Sequence, residues 1–296
     1  MTQVDEYWNK HLIYDKYFTS IKESDDYLAW RSAQYPMAMK MLELENVDYA
    51  GKKILDYGCG PGHDVIEFLK AGADFVVGCD VSKKALDITN ERVKLYGYED
   101  KVALILNTNQ NSNIGDFSGE FDHVHCGGVL HHVNKPVEIL NYLYDYLKED
   151  CHANLMVYNR DSIFFHFYVA FVLRILSSKE SGYPNSDKYS ALDNTDYVFS
   201  KSTDGEDCPV SIAYKPEDFI KLSIAKIDFI GGYPSKLDLK DFFDSKYISD
   251  KYNLLEKEHT DFLEAVTFDD QGFPWCQYKD ERKLCGSGGV YRMVKI

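Results

Sequence analysis

The chain has 296 residues, of which 45% are hydrophobic and 27% charged, with a net charge of -15. The composition is that of a globular protein of one large domain, or one domain with a cap. So acidic a surface repels phosphate backbones and argues against a nucleic-acid partner.

In chain order, residues 5–46 have apolar positions three and four apart, as in "YLAWRSAQYPMAMKML", and predict helices that end before Gly51. From 53 to 158, strands and helices alternate. "KILDY" and "FVVGCD" are short apolar runs ending near an acid. "KKALDITNERVKLYG" is an amphipathic helix stopped by Gly97. "VALILN" and "FDHVHCG" are the third and fourth strands, "KPVEILNYLYDYLK" a helix and "NLMVYN" the fifth strand. This rhythm predicts an α/β fold: a doubly wound, Rossmann-like, mostly parallel sheet with right-handed crossovers.

After Asn159 the rhythm breaks. The apolar run "IFFHFYVAFVLRIL" (163–176) falls short of a bilayer span and predicts a buried cap helix. The expected organisation is an N-terminal helical lid (1–50), a core (51–160), a helical cap insertion (161–210), a continuation of the core (211–232), a second cap insertion (233–288) and a closing strand (289–296). The seven cysteines include no C-x-x-C pair, and the N-terminus is too polar for a signal peptide. Both predict reduced thiols and a cytoplasmic location.

The strongest local signal is "ILDYGCGPG". Gly58, Gly60 and Gly62 follow the first strand and open a helix, where a backbone can touch a ligand directly. A dinucleotide fingerprint requires its third glycine one residue later, where His63 stands. Asp56, two residues before Gly58, opposes a pyrophosphate and suits a cationic ligand. The sulfonium and ammonium of S-adenosylmethionine meet that charge logic.

These motifs resemble those of the class I S-adenosylmethionine-dependent methyltransferases, and the likeness covers roughly residues 50–160. "ILDYGCGPG" looks like their first motif and "VVGCDVSKKAL" like the second, whose acid would be Asp80. "EFDHVHCGGVLHHVNKP" is similar to their fourth-strand signature. The resemblance implies S-adenosylmethionine, with S-adenosylhomocysteine as product. It implies cofactor contacts at Asp56, Gly58, Cys59, Gly60, Gly62, Asp80, Val81 and Cys126. After the third strand the family often has an Asp near the adenine; here the matching stretch is "NTNQNSN", and Asn109 or Gln110 falls nearest.

Transfer to oxygen needs a base, and histidine suits neutral pH. His131 and His132 end the fourth strand, where phosphoethanolamine methyltransferases carry a catalytic histidine in Asp-x-x-Leu-His; here the Asp is missing. Tyr158 is a further catalytic candidate. Tyr14, Arg31, Tyr35, Asn159, Arg160, His166 and Tyr214 are the expected acceptor contacts. His123, His125, Cys126, His131 and His132 lack zinc spacing, and no metal is expected. The expected reaction is O-methylation of a small polar metabolite such as a sugar, nucleotide-linked sugar or phosphorylated compound. N-methylation and a non-catalytic cofactor-binding subunit are the alternatives. The expected partners are a small-molecule acceptor, no nucleic acid and no membrane, with a homodimer allowed for.

Overall fold

The computed structural model describes residues 2–108, 114–178, 188–244 and 252–296. Ten strands follow in chain order: β1 (Lys53–Tyr57), β2 (Phe75–Asp80), β3 (Val102–Leu106), β4 (Phe121–Gly127), β5 (Leu147–Tyr158), β6 (Lys226–Tyr233), β7 (Thr267–Phe268), β8 (Pro274–Tyr278), β9 (Glu281–Leu284) and β10 (Gly288–Val294). Seven of them form one sheet in the order β3-β2-β1-β4-β5-β10-β6. The pairs β1–β2, β1–β4, β2–β3 and β4–β5 are parallel. β10 runs against β5, because the Asp150 N–H bonds Lys295 while the Asn159 N–H bonds Ser287. The strand order reverses between β1 and β4, the place where ligands sit in doubly wound sheets.

The chain divides into two compact units: residues 1–156, 220–228 and 291–296, and residues 157–219 and 229–290. Both stretches expected as separate caps, 161–210 and 233–288, therefore fall wholly in a single unit.

The first unit holds helices α1 (Gln3–Lys10), α2 (Ile21–Gln34), α3 (Pro36–Met41), α4 (His63–Lys70), α5 (Lys83–Tyr96) and α6 (Pro136–Tyr146). Their ends follow from local chemistry. Thr2 and Asp5 form a capping box on α1, and Ser20 and Ser82 cap α2 and α5. Pro36 stands at the start of α3, which separates it from α2 at Tyr35. Gly97 ends α5 in the left-handed region. Ile54, Leu55, Val65, Ile66, Phe68 and Val76 are fully buried, each worth about 1.5–3 kcal/mol of burial. β5 begins seven residues before the predicted strand. The extra length holds an irregularity in its pairing with β4, with Asp150 at a φ of 60°.

The second unit holds a wide π-type helix over Phe164–Leu176, helices α7 (Thr195–Ser202), α8 (Pro216–Ile220), α9 (Lys240–Asp244) and α10 (Lys257–Ala265), and a three-stranded sheet, β7-β8-β9. The apolar run is thus a buried helix as predicted, but wound wider than an α-helix. Phe167, Phe171 and Ile175 pack with Leu263. Arg174 on that helix pairs with Glu256, whose carboxyl it holds below the usual range. Fully buried Asp238 accepts backbone N–H groups from Phe164, Ser235 and Ser287. Among the described residues, no helix is long and apolar enough to cross a membrane.

Candidate functional site

The loop after β1 turns on three glycines with φ of 82°, 51° and 74°, at Gly58, Gly60 and Gly62. Two of the three are also forced by space. A Cβ on Gly58 would lie 2.1 Å from Val129 Cγ2, and one on Gly62 would lie 2.6 Å from Thr89 Cγ2. Gly60 differs, since among the described residues nothing beyond its chain neighbours lies within 4 Å of where its Cβ would stand.

The loop is tied on both sides. The N–H groups of Gly58 and Cys59 donate to the Cys79 carbonyl at 2.8 and 2.9 Å. The Gly60 N–H donates to Asp80 Oδ2 at 2.9 Å, and Thr89 Oγ1 donates to the Gly60 carbonyl at 2.8 Å. Asp80 Oδ1 accepts from the Ser82 N–H at 2.8 Å. Burial pushes the Asp80 carboxyl up, and the Ser82, Gly60 and Val81 N–H groups pull it back. The two oxygens carry about four acceptor sites against these three N–H donors, so Asp80 can still accept from a ligand hydroxyl.

Beneath the loop lie four charged or titratable side chains. The Arg31 guanidinium pairs with the Asp64 carboxylate, and His125 Nε2 stands 3.4 Å from Asp64 Oδ2. Asp56 is the register partner of His125 in the β1–β4 pair. Burial works against the Asp64 charge, but Arg31 and His125 overcome it and hold that carboxyl well below its usual range. His125 is moved the other way: burial lowers its pKa, while Asp64 and Asp56 raise it to a net increase. Asp56 is pushed up to about 7, chiefly by burial. Its Oδ2 is buried and has no hydrogen-bond partner among the described residues. This carboxyl is a proton acceptor poised near neutrality, or a counter-charge for a cation.

At the carboxyl end of β4, Gly128 turns at a φ of 80° and its N–H donates to the Met156 carbonyl. His131 and His132 follow in one short 3-10 turn, with ring centroids 4.0 Å apart. Both are buried, and burial with the His132 neighbour drives the His131 pKa well below its usual value. His131 is therefore a neutral imidazole and a weak base. α1 reaches both lips of this region: the Trp8 ring lies 4.6 Å from His132, and Asn9 Oδ1 is 3.1 Å from Ser82 Oγ.

Several expected roles need correction. Cys126 is fully buried between β1 and β5, so its side chain presents no surface to a ligand, and Cys59, buried against Gly78, presents little. Arg31 is committed to Asp64 and is no open acceptor contact. Tyr14 stacks on Phe18 at 4.7 Å beside Tyr27, and Tyr35 lies at the α2–α3 break. Val81 follows Asp80 at the end of β2. Asn109 and Gln110 lie outside the described residues.

Tyr158, Asn159, Arg160, His166 and Tyr214 belong to the second unit. Tyr158 OH donates to Asp204 Oδ1 at 2.8 Å, and burial pushes its phenol well up, which removes it as a ready base. Asn159 is spent on the Asp161 and Gly286 carbonyls. Arg160 pairs with Asp196 and Glu258. His166 is buried, with Nδ1 2.8 Å from His259 Nδ1 and its ring stacked on Phe262. Tyr214 bonds through its backbone to Tyr158 and Arg160.

Reading by residue type missed Asp64, Trp8 and Asn9. Asp64 is the second residue of α4, and no local pattern marks its bond to Arg31, 33 positions away. The β1–β4 register does point to His125, since a strand ending at Gly127 places it beside Asp56.

Residues 55–153 match a family described as "Methyltransferase domain". Over 91 residues the chain is 34% identical to the ribosomal protein L11 methyltransferase of Shewanella pealeana, covering 30% of this chain and 31% of that protein. Over 87 residues it is 37% identical to the protein of that name from Alteromonas mediterranea, covering 29% and 30%. The chain thus spans about a third of the length of these curated relatives. Two solved structures share the fold. One is the YcgJ protein of Bacillus subtilis, with a TM-score of 0.50 and 14% identity over 86% of this chain and 96% of that one. The other is a Thermotoga maritima protein described as an S-adenosylmethionine-dependent methyltransferase, possible histamine N-methyltransferase. It has a TM-score of 0.51 and 12% identity over 99% and 100%. One expectation is overturned: the curated relatives are named for a ribosomal protein, so a small-molecule acceptor remote from nucleic acid no longer stands.

Proposed function

We propose, from the premise that this chain carries a class I S-adenosylmethionine-dependent methyltransferase domain, that it transfers a methyl group to a nucleophile borne on a protein. The observation that carries the cofactor reading is Gly60: a left-handed glycine, tied to Asp80, whose missing side chain leaves open space. The donor set fits the group. Asp80 has lone pairs for ribose hydroxyls, the glycine loop lets a ligand meet the main chain, and the orphaned Asp56 oxygen offers a counter-charge to a cation. When bound, S-adenosylmethionine supplies a methyl group on a cationic sulfur.

The chain's own residues orient and enclose. Arg31, Asp64 and His125 fix the charge beneath the loop, and α1 with Trp8 shields the end of β4. The depressed basicity of His131 favours a nitrogen acceptor, which attacks through its own lone pair once neutral. A protein as acceptor follows the names of the curated relatives. Transfer to oxygen is the second reading, favoured by the position of His131 and His132 at the carboxyl end of β4. The seven free cysteines suit a reducing, cytoplasmic setting.

The test has two stages. Calorimetry should show S-adenosylmethionine binding with no NAD binding; the reverse would remove the reading. Incubation with methyl-labelled cofactor and fractionated cell extract should then label protein. Label confined to the small-molecule fraction would reject the proposed acceptor class.

A further inference from the structure

Near the start of β4 and at the middle of β5, the first unit gathers Glu43, His123 and His152. One ligand-type atom from each lies within 4.8 Å of the others. His123 and His152 are register partners on adjacent parallel strands, with ring centroids 5.0 Å apart. Glu43 enters from the turn after α3 at a φ of 59°, held there because its carbonyl accepts from Tyr49 OH. Its Oε2 is 2.7 Å from His152 Nε2 and accepts from Asn154 Nδ2 at 2.9 Å, while Arg292 on β10 takes Oε1.

The second observation is His123 itself. It is 2% exposed, and neither ring nitrogen has a hydrogen-bond partner among the described residues. A buried polar group left without a partner costs about 1–3 kcal/mol. Tyr49 and Phe68 rings flank it at 5.5 and 5.8 Å and offer only their faces or edges.

We propose that Glu43, His123 and His152 bind a divalent first-row transition cation, zinc foremost. Two imidazoles and a carboxylate are a donor set such ions favour over magnesium or calcium, and three protein ligands leave a position for water. The half-buried Glu43 and His152 side chains, 24% and 33% exposed, give an entry path. Metal–ligand bonds of about 2.0–2.2 Å place tetrahedral donor atoms roughly 3.3 Å apart, so the Glu43–His152 pair opens by about 0.6 Å and the wider pairs close by at most about 1.5 Å. His152 gives up its hydrogen bond to Glu43 and turns that nitrogen's lone pair to the ion. Asn154 and Arg292 remain as hydrogen-bond donors that set the carboxylate's orientation, the usual supporting arrangement for a ligating acid. His123 lies four residues before Gly127, roughly 13 Å along the strand. The ion is thus a tie between the N-terminal segment, β4 and β5, not a participant in methyl transfer.

The experiment uses the full chain stripped with a chelator, titrated with zinc by calorimetry and with cobalt by visible absorption. One equivalent of zinc should bind, cobalt should give a tetrahedral spectrum, and zinc should raise the melting temperature. Glu43→Gln and the half-exposed His152→Gln should each weaken zinc binding at least about tenfold, with S-adenosylmethionine affinity unchanged. His259→Gln, in the second unit, should bind zinc as the parent does. Absence of stoichiometric zinc binding to the parent would overturn the proposal, and so would unaltered affinity and cobalt spectrum in His152→Gln. Failure of cofactor binding with zinc binding intact would leave this site standing and reject the functional reading alone.

Discussion

Gly60→Ala separates what the loop needs for folding from what it needs for a ligand. At a φ of 51° an L-residue costs about 1–2 kcal/mol. Among the described residues, nothing beyond the chain neighbours lies within 4 Å of the new methyl, so they add no packing cost. The variant should fold and melt about 2–8 °C lower. The methyl would stand in the open space assigned to the cofactor, so S-adenosylmethionine affinity should fall more than about tenfold, which is 1.4 kcal/mol. Gly58→Ala is the control. Its φ of 82° carries the same backbone cost, and the 2.1 Å approach to Val129 adds about 1–3 kcal/mol of overpacking. It should lose about 2–5 kcal/mol in urea unfolding, well beyond Gly60→Ala. Calorimetry and urea titration on both variants read the two quantities independently. The reasoning fails if Gly60→Ala binds the cofactor within twofold of the parent, or if it is destabilised as much as Gly58→Ala.

Asp80→Ala removes the acceptor for the Gly60 and Ser82 N–H groups. Bonds to a charged acceptor are worth about 1.5–3 kcal/mol, so cofactor affinity should drop by tenfold or more; near-parental binding by calorimetry would contradict the assignment. Arg31→Met leaves the Asp64 carboxylate buried without its main partner, and should cost about 3–5 kcal/mol in urea unfolding; a loss below about 1 kcal/mol would show that His125 alone suffices. Asp56 has a folded pKa of about 7 against 3.8 ordinarily, so folding takes up a proton in that window and stability falls as pH rises from about 4 through 7. Asp56→Asn should flatten that slope, and an unchanged slope in urea titrations across the range would refute the shift. His131→Asn should reduce methyl transfer by less than about tenfold if the acceptor is nitrogen. A fall of about 10²–10⁴, the size of general-base catalysis, would put the oxygen reading first.

The first half of the sheet was legible because its signals are local. An apolar run ending at Asp56, glycines at 58, 60 and 62, and a capped amphipathic helix at 83–96 each carry their own instruction. The first structural surprise, the early start of β5, sits in "LKEDCHA", whose charges suit a helix end as well as a bulged strand; only pairing with β4 decides. The site's chemistry was legible in part. Residue type identified Asp56 and Asp80 as acids near the loop. It did not reveal that Arg31 would spend its charge on Asp64, because that pairing depends on how α2 lies against α4. Tyr158, Asn159 and Arg160 follow β5 directly and read as pocket residues. Each is instead bonded to a group distant in sequence: Asp204, Gly286 and Asp196. The gathering of the two cap stretches into one unit is likewise a matter of tertiary packing, which no local period encodes.

The strand order has a consequence for synthesis on the ribosome. β10 lies between β5 and β6, yet it emerges more than fifty residues after β6. Until then β5 and β6 each face a missing neighbour, with unpaired backbone groups at two open edges. Arg292, which holds Glu43, and Lys295, which bonds Asp150 and Cys151, arrive at the same moment. The nascent sheet therefore cannot close by growing outward strand by strand. It must keep a slot open and accept a late insertion, so the interval before β10 appears is the time when these two edges stand exposed.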